Sequence, residues 1–182
     1  MVTDEGRTLY VIVSAAGVAA DVGRLVTLAR ADGWTVQVIA TPSALAFIDT
    51  EELETRTGRP VRSRYRAPGD PRPPRANAIV VAPATYNTIN KFAQGHADNY
   101  ALGLLAEAPG LGIPVVVLPC VQTALASRIP FRASVDQLRA EGVRVLFGPG
   151  EFEPHEPGAL TDFPWHLAVQ ALREETTWTP PT

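Results

Sequence analysis

Five short apolar runs divide this chain, and the residues between them follow a helical spacing. The runs are Leu9-Tyr10-Val11-Ile12-Val13, Thr35-Val36-Gln37-Val38-Ile39, Ala78-Ile79-Val80-Val81-Ala82, Pro114-Val115-Val116-Val117-Leu118 and Val143-Arg144-Val145-Leu146-Phe147. Runs of this length and β-branched content read as strands buried in a parallel sheet. Val22, Leu25, Val26 and Ala29 recur at helical spacing and predict a helix over about 19–32, stopped by Asp32-Gly33. Thr41-Pro42-Ser43 opens a short helix that carries Leu45 and Phe47. Further helices are expected over about 87–108 with a break near Gly95, over 134–141 and over 160–174, before a frayed tail from 176 to 182. Strands alternating with helices predict a three-layer α/β fold with a parallel sheet and right-handed crossovers. The turns at Ser14, Thr41, Thr85 and Pro119 should then share one edge of the sheet.

Residues 57–76 break the pattern. Arginine and proline dominate, as in Arg66-Ala67-Pro68-Gly69-Asp70-Pro71-Arg72-Pro73-Pro74, so no regular helix fits and a loop is expected. Residues 148–157 read as a second loop, rich in glycine and proline. The chain of 182 residues suits one domain over 1–182, with a core at about 8–150 and a C-terminal helix and tail at 158–182.

Composition narrows the function classes. A net charge of −3 gives no electrostatic reason to expect nucleic acid or an anionic membrane as partner. Cys120 is the single cysteine, so no intrachain disulfide forms, which fits a reducing compartment such as the cytoplasm. No run reaches membrane-spanning length and no signal peptide is expected at the N-terminus. No metal site is expected.

The candidate chemistry lies in the turns. Pro83-Ala84-Thr85-Tyr86-Asn87-Thr88 follows a buried strand directly and leads into Gly95-His96-Ala97-Asp98-Asn99. Short polar side chains and free backbone amides at the carboxyl edge of an α/β sheet suit a small-molecule site. Asn87 can both donate and accept hydrogen bonds. Ser14-Ala15-Ala16-Gly17 lacks G-x-G-x-x-G, so a generic dinucleotide fingerprint is absent. Taken alone, that segment also spells a plain tight turn, and Thr41-Pro42-Ser43 a plain helix cap. Cys120 alone reads as a small buried residue with no cation or histidine beside it to activate its thiol.

The stretch from Pro83 to Asn99 resembles the P-A-S-A-N-T and G-x-A-D-N motifs of the homo-oligomeric flavin-containing cysteine decarboxylases, with Tyr86 and His96 as the odd residues. That family includes phosphopantothenoylcysteine decarboxylase and the peptidyl-cysteine decarboxylases of lantibiotic pathways. Weaker resemblance covers about 9–150. The resemblance implies a flavodoxin-like, Rossmann-like fold, FMN as cofactor, and a trimer or a multiple of three. It implies phosphate contacts from Ser14, Ala15, Ala16 and Gly17, with Ala15-Ala16 in place of the family's Gly-Ser, a phosphate or ribityl contact from Ser43, and flavin contacts from Phe47, Thr85, Tyr86, Asn87, Thr88 and Cys120. Pro119-Cys120-Val121-Gln122 is similar to the family's P-x-M-N, so Gln122 would meet a substrate carboxylate where the family has Asn. Leu125 and Ala126 stand where the family has Met and Trp.

Two departures bear on activity. The family places a histidine about fourteen residues before the motif's proline, and that position here is Gly69. One branch of the family also carries a late-loop cysteine, and residues 148–157 have none. Histidine occurs at 96, 155 and 166 alone. His155 is the replacement acid–base candidate, although a surface histidine in a loop is the plainer reading. Three functions stay open: a flavin-dependent decarboxylase or oxidase acting on a thiol-bearing metabolite or peptidyl cysteine, a non-catalytic flavin-binding or regulatory subunit, and a nucleotide-binding α/β protein unrelated to flavin.

Overall fold

The computed structural model describes residues 6–177. Every expected apolar run forms a strand: β1 (Thr8–Val13), β2 (Thr35–Ala40), β3 (Ala78–Ala84), β4 (Val115–Pro119) and β5 (Arg144–Val145). They build one all-parallel sheet in the order β2-β1-β3-β4-β5. All residues of β1, β3 and β4 are buried, as expected of a sheet covered on both faces. β5 is shorter than its apolar run. Gly148, at φ 131°, turns the chain back so that Phe147 pairs with Phe152 and leaves the ladder.

The helices follow in chain order. α1 (Gly23–Ala31) is preceded by a separate 3-10 turn over Gly17–Asp21, so the helix expected over 19–32 is split. No side chain caps either start. Another 3-10 turn, Pro42–Ala46, stands where a short helix was expected. α2 (Thr50–Thr57) was not anticipated. Asp49 caps it by accepting from the Glu52 amide at 3.0 Å, and Gly58 closes it at φ 69°. α3 (Tyr86–Ala93) and α4 (Tyr100–Glu107) are separated around Gly95, as expected. α5 (Thr123–Ala126) is a single turn, and α6 (Ile129–Ala140) starts five residues ahead of its expected position, with Pro130 in the first turn. α7 (Trp165–Thr177) begins after Pro164, later than the expected 160, and includes Thr176 where a tail was expected. The rest of that tail lies outside the described residues.

α1, α2 and α7 pack together on one side, and α3 packs against α4 and α6 on the other. The result is a three-layer α/β fold. From β1 the chain winds to β2 at one edge, and from β3 it winds through β4 to β5 at the other. The direction reverses between β1 and β3. Open α/β sheets bind ligands at the carboxyl edge of such a switch point.

Residues 58–77 cross the sheet as a strap without helix or long strand. Arg62 extends the outer edge of β2, accepting from the Ala40 amide at 2.8 Å and donating to the Val38 carbonyl at 3.1 Å. Tyr65 packs edge-on against Tyr100 of α4, with ring centroids 5.1 Å apart. The Tyr10 hydroxyl donates to the Pro74 carbonyl at 2.5 Å.

Candidate functional site

The four carboxyl-edge turns meet in one cleft of about 960 Å³. Ala15, Ala16 and Gly17 line it after β1, Ser43 after β2, Thr85 to Thr88 after β3, and Cys120 to Gln122 after β4. The fold thus brings together eleven of the thirteen candidate residues, His155 included. Ser14 and Phe47 are not among the lining residues.

Ser14 lies beneath the cleft. Its side chain is 1% exposed, and its hydroxyl donates to Thr88 Oγ1 at 3.0 Å. Thr85 Oγ1 stands 3.1 Å from the same atom and caps α3 by accepting from the Thr88 amide. Three hydroxyls therefore lock the end of β1 to the turn after β3. Phe47 is displaced for a geometric reason. A residue four positions after Ser43 shares its face on an α-helix, but the chain here is a 3-10 turn, in which the eclipsing residue is three positions on. Phe47 is 45% exposed instead.

Above the hydroxyl lock, Asn87 lies exposed on the first turn of α3, and its amide makes no hydrogen bond among the described residues. The first backbone amides of α3 have no intrahelical acceptor. The Tyr86 ring stacks on Phe131, 5.9 Å centroid to centroid at 16°, which holds it at the cleft wall.

Lys91 and Asp98 also line the cleft, and they form an ion pair between α3 and the turn before α4. Its hydrogen bond to Lys91 draws the Asp98 carboxyl below its ordinary pKa. The sequence reading did not place this pair in the site. The signal available in the sequence was Asp98 itself, within the Gly95-His96-Ala97-Asp98-Asn99 stretch that follows the candidate turn. Asn99 caps α4 by accepting from the Leu102 amide at 2.9 Å, and both residues face the same cleft.

Cys120 is half-buried, and burial pushes its thiol up to about 11. Such a thiol stays protonated near neutral pH and is a poor nucleophile. Gln122 is exposed at the start of α5. The loop after β5 folds back over this corner: Gln122 and His155 pair as a short parallel bridge, and the Thr123 amide donates to the His155 carbonyl at 3.0 Å. His155 Nδ1 stands 3.0 Å from the Glu156 carbonyl oxygen. A carbonyl can accept only, so the hydrogen bond there is donated by a protonated Nδ1. Nε2 is buried and has no partner among the described residues. His96 is exposed and outside the lining. No residue of the strap over 58–77 lines the cleft.

An all-parallel sheet of this order, with a cleft at the β1/β3 reversal, makes the molecule a flavodoxin-like α/β protein. The chain belongs to the Flavoprotein family, whose model matches residues 2–164. It is 33% identical over 116 residues to the Coenzyme A biosynthesis bifunctional protein CoaBC of Mycobacterium bovis, covering 61% of this chain and 27% of that one. The chain thus spans about a quarter of that relative's length. It is 27% identical over 159 residues to the probable phosphopantothenoylcysteine decarboxylase of Streptococcus mutans, covering 79% of this chain and 84% of the relative. The crystal structure of the FMN-dependent cysteine decarboxylase SpaF superposes with a TM-score of 0.71 at 25% identity, over 94% of this chain and 98% of that one. Membership of this family supports a flavin cofactor. Among the described residues, no helix is long and apolar enough to cross a membrane.

Proposed function

We propose that this chain binds FMN non-covalently in the switch-point cleft. There it serves a flavin-dependent decarboxylase or oxidase reaction on a thiol-bearing metabolite or peptidyl cysteine, with an altered set of catalytic groups. The observation that carries this reading is the meeting of four polar turns in one cleft of about 960 Å³. That volume lies at the upper end of the roughly 300–1,000 Å³ typical of ligand sites. The residues present fit the group. Ala15, Ala16, Gly17 and Ser43 offer amides and a hydroxyl for a phosphate. The Asn87 amide, without a partner among the described residues, can both donate and accept at a ring or ribityl edge. Bound flavin supplies a two-electron oxidant.

The chain's own residues then divide the remaining work. Gln122 donates its amide N–H to a substrate carboxylate. His155, at the cleft wall beside Gln122, is the proton acceptor for a substrate thiol. Tyr86 narrows the cleft beside them. Cys120 stays neutral and contributes packing. The relatives support the substrate class: SpaF is an FMN-dependent cysteine decarboxylase, and the S. mutans protein is a probable phosphopantothenoylcysteine decarboxylase. A homo-oligomer in multiples of three and a cytoplasmic location belong to the same reading.

A second reading, a flavin-binding or regulatory subunit without decarboxylase activity, is favoured by the strap. Gly69, where the resemblance puts a histidine, is exposed on a segment that lines no part of this cleft. Titration with FMN decides the cofactor. Quenched flavin fluorescence and a thermal shift are expected, and neither at excess FMN would defeat both readings. Anaerobic bleaching of the flavin by a peptidyl cysteine, with loss of CO₂ seen by mass, favours the enzyme. His155→Ala should then slow turnover by about 10²–10⁴-fold. Bound flavin that no thiol substrate bleaches favours the subunit.

A further inference from the structure

The strap carries an unusual charge. Arg59, Arg62, Arg64, Arg66, Arg72 and Arg75 lie within seventeen residues, with Asp70 as the only acid. Six of the chain's sixteen basic residues and one of its nineteen acidic ones fall here. The strap is therefore +5 and the rest of the chain −8. None of the six guanidinium groups forms a salt bridge among the described residues, although Arg24, Arg56, Arg139, Arg144 and Arg173 all do. Arg64, Arg66, Arg72 and Arg75 are exposed.

The strap is also held in place. Arg62 is tied to β2 through its backbone, Tyr65 to α4, and Pro74 to Tyr10. The Asp70 carboxylate is engaged in accepting from the Ala67 amide at 2.8 Å. Five prolines restrict the backbone further. A cationic surface held this way loses little conformational freedom on binding.

Its place matters as much as its charge. Tyr100 and Gly103 of α4 receive Tyr65, while Asn99 and Leu102 line the cleft. These pairs are offset by one residue on the same helical turn. On the other flank, Arg62 pairs with Ile39, two residues before Thr41 of the cleft wall. The strap thus runs from the flank of the cleft wall, at Arg62 and Tyr65, to the amino edge of the sheet, where Arg59 and Arg75 stand beside Thr8 and Thr35.

We infer that the cleft-side half of the strap, Arg62 to Arg66, is a docking rim for a short acidic peptide segment, which delivers an attached thiol-bearing residue to the neighbouring cleft. The second half of this inference rests on the proposed function; the first half does not. Charge complementarity selects the partner. Planar guanidinium groups match carboxylates in a bidentate manner. A long polyanion such as RNA would extend beyond the strap, and the rest of the chain sums to −8, whereas a peptide of a few residues needs the strap alone.

The test is fluorescence anisotropy with two labelled decapeptides ending in cysteine. One has four Glu residues upstream and the other has Gln at those positions. The purified protein is used as it is, and no flavin or turnover is needed. The acidic peptide should bind about tenfold more tightly at low salt, and the difference should shrink at 0.5 M salt. The double variant Arg64→Gln/Arg66→Gln changes exposed side chains alone and should remove most of the preference with an unchanged thermal midpoint. Equal binding of the two peptides overturns the inference. So does tighter binding of a U-rich ten-nucleotide RNA, which would make the rim a nucleic-acid surface. A change of oligomeric state in the double variant would assign the rim to a second copy of this chain and overturn it as well. Acidic-peptide binding by protein that takes up no FMN would keep the rim and remove the flavin reading.

Discussion

At the residue scale, the cleft separates side chains that hold the fold from side chains open to a ligand. Ser14 and Asn87 make the contrast clearest. Ser14 is buried and donates to Thr88, so Ser14→Ala should cost about 1 kcal/mol of stability. That corresponds to a drop in Tm of roughly 2–4 °C for a chain of this size. Asn87 makes no bond within the described chain, so Asn87→Ala should leave Tm nearly unchanged and weaken FMN binding by about tenfold. Calorimetry and flavin titration on the two variants check this, and a matching loss of stability in both would refute it. Cys120 gives a pH prediction. Burial raises its folded pKa to about 11 from 9.0, so the folded state holds the proton more tightly than the unfolded one. The stabilising contribution is complete below pH 9 and is lost as pH rises through 11. Iodoacetamide at pH 8 should therefore alkylate Cys120 about a hundredfold more slowly than an exposed cysteine peptide. Denaturant melts from pH 8 to 11 should show wild type losing stability relative to Cys120→Ala. The turn residues were legible in the sequence because strand ends and polar turns are local features. The Lys91–Asp98 pair was not, because its closure depends on how the chain bends at Gly95.

At the element scale, the strands were readable and one helix was not. Buried β-branched runs signal themselves, and each formed a strand. α2 turns a single residue, Leu53, to the core, so no apolar period announced it. Its capping signals, Asp49 with Glu52 and then Gly58, were present in the sequence. The strap was legible as a loop, but its anchorage was not, because Tyr65 meets α4 across 35 residues of chain. The fit at Gly103 is close: an added Cβ would stand 2.1 Å from the Tyr65 hydroxyl. That atom is the free end of a side chain that is 62% exposed, so the ring can swing away. Gly103→Ala should therefore keep or slightly raise global stability, since alanine favours helix by about 1 kcal/mol over glycine. It should also release the strap and speed tryptic cleavage between Arg59 and Arg75. Timed digestion followed by mass spectrometry reads both effects. Unchanged cleavage would show that Tyr65 does not anchor the strap.

At the scale of the whole molecule, the sheet order explains why residues spread from Ala15 to His155 share one cleft. The reversal between β1 and β3 leaves a gap at the carboxyl edge, and every turn at that edge opens toward it. Assembly is the part that one chain's sequence shows least directly, because an interface is specified by a partner surface. The exposed apolar side chains bear on it. Leu45 and Phe47 follow the turn after β2, while Leu125 and Ile129 follow the turn after β4. Leu125 lines the cleft, and Ile129 is 82% exposed. Large apolar side chains gathered near a functional edge favour burial against another copy. With the implied oligomer of the flavin-containing cysteine decarboxylases, this predicts a trimer or a multiple of three whose contacts cover that edge. Light scattering at micromolar concentration should give a mass of three chains or more. Ile129→Glu, on a side chain with almost no intramolecular packing to lose, should shift that mass toward the single chain while Tm in the dissociated state stays that of a folded protein. If Phe47 reaches a ligand in a neighbouring copy, its exposure here is accounted for. Phe47→Ala should then weaken FMN binding in the oligomer and leave the affinity of the dissociated Ile129→Glu chain unchanged. A wild-type chain that remains monomeric at that concentration would leave Phe47 a plain surface residue and remove the oligomer from the reading.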